Sequence, residues 1–126
     1  NLREEERFRV PAWAANQVIY QIFPSRFATH RQVEQEVWYQ APIGPGTDLG
    51  GSLRGIIEKL DYLQSLHVTV IYLNPIFLAR SNHRYDTGDY MRVDPMLGDE
   101  NERELSSLGE GIRISVYVIS GAWKIL

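Results

Sequence analysis

The chain contains no cysteine, which excludes disulfide bridges and zinc–thiolate sites and fits a reducing compartment. It has no block of lysine and arginine: 13 basic residues stand against 16 acidic ones, a net charge of -3. Nucleic acid and anionic membrane surfaces are therefore not expected as partners. No apolar run approaches the length of a bilayer span. The opening residues, NLREEERFRVP, are charged and lack the apolar centre of a secretory signal, so the expected location is cytoplasmic. Internal repeats, low-complexity tracts and glycine-rich phosphate motifs are also missing. What is present is ordinary globular composition: 126 residues, 44% hydrophobic and 23% charged, enough for one domain with its own core.

Residues 1–15 read as a polar lead-in, with Pro11 opposing any helix there, and residues 16–126 as the folded part. VIYQIF, Val18 to Phe23, is β-branched and aromatic and stops at Pro24, which predicts a strand. Pro24 to Gly51 reads as a long loop, with a short helical turn near Val33 to Val37. SLRGIIEKLDYLQSLH is the clearest helix. Leu53, Ile56, Ile57, Leu60, Leu63 and Leu66 fall on one face, and Ser52 is placed to cap its start. VTVIYL, Val68 to Leu73, is nearly continuous in hydrophobicity, as a strand buried on both faces would be.

Asn74 to Gly98 reads as loop, DENERELSSL as a weak helix, and Gly111 to Ile119 as a third strand. The order β–α–β–α–β predicts an α/β fold with a parallel sheet. Such folds gather ligands beyond the carboxyl ends of their strands. The decapeptide SNHRYDTGDY, Ser81 to Tyr90, lies in that position.

Its residues admit more than one chemistry. His83, Asp86, Asp89 and Asp94 are metal-ligating types, but their spacing matches no compact metal motif, and loop carboxylates commonly cap turns. Tyr85 and Tyr90 offer flat faces for stacking, or apolar bodies for packing the loop down. Asp48 with Gly50 and Gly51 could form a cation or phosphate site before the helix; a plain turn and cap explains the same residues and is the favoured reading. Glu4, Glu5 and Glu6 form a solvated run. No carboxylate pair suited to acid–base work on a glycosidic bond can be chosen by spacing.

Three stretches nevertheless carry a specific likeness: VPAWAANQVIYQIFPSRFA, GGSLRGIIEKLDYLQSLHVTVIYLNPIF and SNHRYDTGDYMRVDPMLGDEN. In order and spacing the sequence resembles the alpha-amylase superfamily of glycoside hydrolases, and within it the neopullulanase, cyclomaltodextrinase and maltogenic amylase group. The likeness is lost after about residue 101. It implies about three βα units from the N-terminal portion of a (β/α)8 TIM barrel. It also implies retaining cleavage of α-glucosidic bonds in starch-derived glucans or cyclodextrins, with an α-glucan or maltooligosaccharide as partner. By the same resemblance Tyr85 stacks on the sugar, His83 lies at the same subsite and Asp86 orders the loop. Relatives with an N-terminal β-domain imply a homodimeric parent enzyme, residues 1–10 being a remnant of that domain.

The departures are as informative. The family's catalytic carboxylates sit on strands four, five and seven, so the resemblance implies a chain without them, inactive alone, as a truncated or frame-shifted product would be. Against the family's third-strand pattern, Tyr117, Gly121 and Ala122 replace an aspartate, an asparagine and a histidine. Ser52 replaces an aspartate of the family's calcium site, and the accompanying loop reads ATHRQVEQE, so no calcium or other cofactor is expected. The alternative reading is a non-catalytic sugar-binding or interaction module. Three of eight strands would leave an open sheet with bare edges, which favours association over stable folding alone. An unrelated nucleotide-binding α/β domain is disfavoured by the missing phosphate motif.

Overall fold

The computed structural model describes residues 10–30, 44–98 and 115–118. After a short 3-10 helix at Ala12–Ala14, placed directly behind Pro11 in the expected lead-in, strand β1 runs over Ile19–Ile22. Helix α1 (Pro24–Phe27) follows at once. Helices α2 (Leu53–Glu58) and α3 (Leu60–Ser65) lead into strand β2 (Val70–Leu73). Strands β3 (Phe77–Ala79) and β4 (Thr87–Val93) come next, and β5 is Ser115–Val118.

The described strands β1, β2 and β5 form one parallel sheet in that order. Ile19 pairs with Val70, and Val70 with Ser115. The expected third strand is thus present at its centre. The expected turn at Val33–Val37 and helix in DENERELSSL lie outside the described residues.

Side-chain alternation sorts the sheet into two faces. Ile22, Ile71 and Leu73 are buried against Leu53, Ile56, Leu60 and Leu63 of α2 and α3. Burial of each such side chain contributes about 1.5–3 kcal/mol. On the opposite face Ile19 is 60% and Tyr72 37% exposed, while Val70 is buried. The expectation that Val68 to Leu73 is covered on both sides therefore fails at Tyr72. Among the described residues no second layer packs on that face.

The long amphipathic run is two helical stretches rather than one. Lys59 leaves helical geometry (φ -102, ψ 6), and its N–H bonds Ile56 O instead of the residue one further back. The start is capped as the sequence implied, with Ser52 Oγ accepting from Gly55 N at 3.0 Å. The end is a Schellman turn. Val68 N reaches Leu63 O and His67 N reaches Gln64 O, with His67 in the left-handed position at φ 60. Leu66, the cap residue just before this turn, is 44% exposed rather than part of the buried apolar face.

Two expected loops contain regular structure. The segment after Pro24 opens with α1, because proline at the first helical position presets φ and needs no N–H partner. Asn74 to Gly98 is largely an antiparallel hairpin of β3 and β4. Its pairing is irregular: Phe77 faces Val93, but the next residue, Leu78, faces Asp89. A ladder broken by bulges shows no clean alternation in sequence, which is why the polar composition read as loop.

The backbones of α1 and α2 meet closely. Gly51 N bonds Ser25 O and Ser52 N bonds Ala28 O. A Cβ on Gly55 would fall inside the backbone of Ala28 and Thr29. Gly55→Ala is accordingly expected to destabilise the fold by about 1–3 kcal/mol. The readout is faster amide exchange at Ser52, Leu53 and Ile56; unchanged exchange would contradict this close packing.

Candidate sugar-contact site at the hairpin tip

The decapeptide Ser81 to Tyr90 is the turn of the β3–β4 hairpin together with the first residues of β4. Local hydrogen bonds shape the turn. The Asp86 carboxylate accepts from both the amide (3.2 Å) and the hydroxyl of Ser81. Arg84 N donates to Ser81 Oγ at 3.2 Å, and Thr87 Oγ1 donates to Arg84 O at 2.9 Å. Tyr85 N lies 3.2 Å from His83 Nδ1 and donates to it. Ser81 Oγ also lies 3.0 Å from His83 Nδ1, so the ring is held from two sides of the turn.

The result is a paired display. The His83 and Tyr85 rings lie 5.9 Å apart at 35°, both exposed to solvent, with Tyr85 at 44%. Burial, and then the neighbouring Tyr72 hydroxyl, push the Tyr85 phenol above its ordinary value, so it stays neutral through the physiological range. Tyr72 belongs to the face of β2 that points away from the helices. Tyr90 is set apart from this pair, its ring tilted against Phe77 at 6.0 Å.

Arg84, Asn82 and Arg26, which sequence reasoning did not single out, hold the tip in place, with Asp48 and Asp94 as partners of Arg84. Arg84, between the two displayed rings, is only 1% exposed. Its Nε donates to Asp94 Oδ2 at 2.8 Å, its Nη1 to Asn82 O at 2.7 Å, and Nη2 lies 3.8 Å from Asp48 Oδ2. Asn82 Nδ2 donates to Pro45 O and Thr47 O. Arg26, stacked over Phe23 at 5.2 Å, donates to the same two carbonyls and to Gly44 O. The loop before α2 is thereby gripped from α1 on one side and from the hairpin tip on the other. No periodicity marks these residues. Arg84 and Asp94 stand ten residues apart, with Asp86 and Asp89 nearer to the arginine, so sequence proximity does not mark the pair either.

The carboxylates weighed as metal ligands are dispersed. Asp48, Asp89 and Asp94 each accept the amide two residues ahead, from Gly50, Met91 and Met96. Among the described residues no three histidines or carboxylates are grouped to hold a metal ion.

Residues 21–113 match the family described as alpha amylase, catalytic domain, and the chain belongs to that family. Its parallel strands and intervening helices are an N-terminal part of that domain's TIM barrel. The chain is 46% identical over 102 residues to an intracellular maltogenic amylase of Bacillus subtilis, a match that spans 78% of this chain and 17% of that protein. It is 43% identical over 104 residues to neopullulanase 2 of Thermoactinomyces vulgaris, spanning 78% and 18%. Among solved structures it resembles the type III pullulan hydrolase from Thermococcus kodakarensis, with a TM-score of 0.69 and 38% identity. That likeness covers 82% of this chain and 22% of the other.

The hydrogen bonds to Ser81, above all from its hydroxyl, hold the Asp86 carboxyl below its usual value. A lowered folded pKa means that the ionised tether contributes to stability above the unfolded value. The contribution is lost as pH falls through the lowered one. The Ser81 amide resonance is therefore expected to titrate below the usual aspartate range, and to stop titrating in Asp86→Asn. A midpoint at the ordinary value would show that the tether is not formed.

Proposed function

We propose that this chain forms the start of the catalytic barrel of a retaining glycoside hydrolase acting on α-glucosidic bonds in starch-derived glucans or cyclodextrins. The observation that carries the reading is the exposed His83–Tyr85 pair, fixed at the tip of the β3–β4 hairpin. A neutral aromatic ring offers the apolar face of a pyranose a flat contact. The Nε2 atom of His83 can hydrogen-bond a sugar hydroxyl beside it. Asp86 orders the tip through Ser81.

In this reading the 126 residues hold sugar but do not cut it. Retaining hydrolysis needs a carboxylate nucleophile and a carboxylic acid about 5–5.5 Å apart across the scissile bond. By the family resemblance those groups belong to strands four, five and seven. The relatives' names support an α-glucan as ligand, and the intracellular maltogenic amylase among them supports a cytoplasmic location. No helix among the described residues is long and apolar enough to cross a membrane.

The test is a titration of the purified chain with maltotriose, paired with an assay for sugar release from cyclodextrin. Binding without turnover is expected. Tyr85→Ala should weaken binding by about tenfold, the equivalent of about 1.4 kcal/mol. Turnover by the chain alone would refute the division of labour, and unchanged affinity in Tyr85→Ala would refute the platform.

We further propose that the family's calcium site is lost. The support is that Ser52 Oγ, in the place of the aspartate, is already committed. It accepts from Gly55 N and lies 2.7 Å from His30 Nδ1. A neutral hydroxyl with both neighbours assigned is a poor ligand for a hard cation that prefers carboxylates. Calorimetric titration with calcium should give no saturable heat; tight binding would overturn this proposal.

A further inference from the structure

We infer that Arg84 is a positioning residue for the sugar platform: its buried guanidinium sets where His83 and Tyr85 stand, without touching sugar itself. The inference rests on the reading of that pair as a sugar contact. Arg84 sits between two exposed residues yet is 1% exposed, so the chain turns inward for one residue and outward again. It does so in the left-handed backbone region, φ 60, which a non-glycine side chain adopts only when its surroundings compensate. The compensation comes from three separate places. Asp94 follows β4, Asn82 O belongs to the turn itself, and Asp48 belongs to the loop before α2.

The planar fork of arginine can serve all three at once; a lysine has one compact head and cannot. The same turn bonds its own flanks through Ser81 Oγ and the Arg84 carbonyl. Moving the guanidinium therefore moves the backbone from which both rings project. Asn82 adds a second grip on the loop carbonyls of Pro45 and Thr47, so the platform is referenced to α2 as well as to its own hairpin. A preset platform binds without first ordering its side chains, which is where affinity is otherwise lost.

The test uses the 126-residue chain and two readouts, the nuclear Overhauser contact between the His83 and Tyr85 rings and maltotriose affinity. Removing Arg84 alone would strand the Asp94 charge, so the informative variant is Arg84→Met with Asp94→Leu. It is expected to lose the ring contact and to bind maltotriose about tenfold more weakly, while the Leu63 and Ile71 amides stay protected. A double variant that keeps the ring contact overturns the inference, whatever its affinity. Tyr85→Ala separates the two claims. If it binds as the unsubstituted chain does, the sugar reading falls, and the ring contact alone still decides the positioning role. If the double variant loses core protection, Arg84→Lys decides. It keeps the charge but not the fork, and an unaltered ring contact there overturns the inference.

Discussion

Arg84 carries a permanent charge in a place that water barely reaches, and such a charge is tolerated only when it is paired and hydrogen-bonded. Meeting that demand draws three segments together. Asp94 must return from the far end of β4, the loop at Asp48 must approach, and the turn at Asn82 must present its carbonyl inward. Each partner is committed elsewhere too, Asp94 to Met96 N and Asp48 to Gly50 N. The tip is thus fixed by a network whose members hold one another, and the exposed rings of His83 and Tyr85 inherit that rigidity.

The network stands on a second constraint, the packing of α2 and α3 on one face of the parallel sheet. Ile71 and Leu73 of β2 lie between the helices and the open face, so they fix the height at which the strand ends. The chain leaves that end through Asn74, whose N–H bonds Ile22 O and whose Oδ1 accepts from Gln21 Nε2 at 2.9 Å. The hairpin is then anchored back to the core by Ile76 and Leu97. Ile76 O accepts from Asp94 N, and Leu97 O from Leu53 N. Core and site are coupled by these short backbone bonds, which join the hairpin's base to the start of α2.

Much of the framework was legible residue by residue. The spacing of Leu53, Ile56, Leu60 and Leu63 gave the helical face, Ser52 its cap, and the runs at Val18 and Val68 the first two strands. Of the expected third strand, Gly111 to Ile119, the described residues Ser115–Val118 are strand. Misreadings arose where structure depends on pairing between distant residues. β3 and β4 are joined by an irregular ladder that leaves no period in the sequence. Leu66 fitted the apolar pattern but sits at the cap where the helix ends, and it is 44% exposed. Tyr72 fitted a buried strand but faces the side on which no described layer packs.

The site divides along the same line. By itself the sequence determined its ingredients and its neighbourhood: two aromatic rings and a carboxylate, just beyond a strand that periodicity and burial demand place in a parallel sheet. Those signals are local, because side-chain spacing along one helix or strand repeats with that element's own geometry. Only the tertiary structure decided that Arg84 turns inward while its two neighbours turn outward. The free energy of a buried charge depends on which oxygens surround it, and Asp48 and Asp94 reach Arg84 only once the chain has folded.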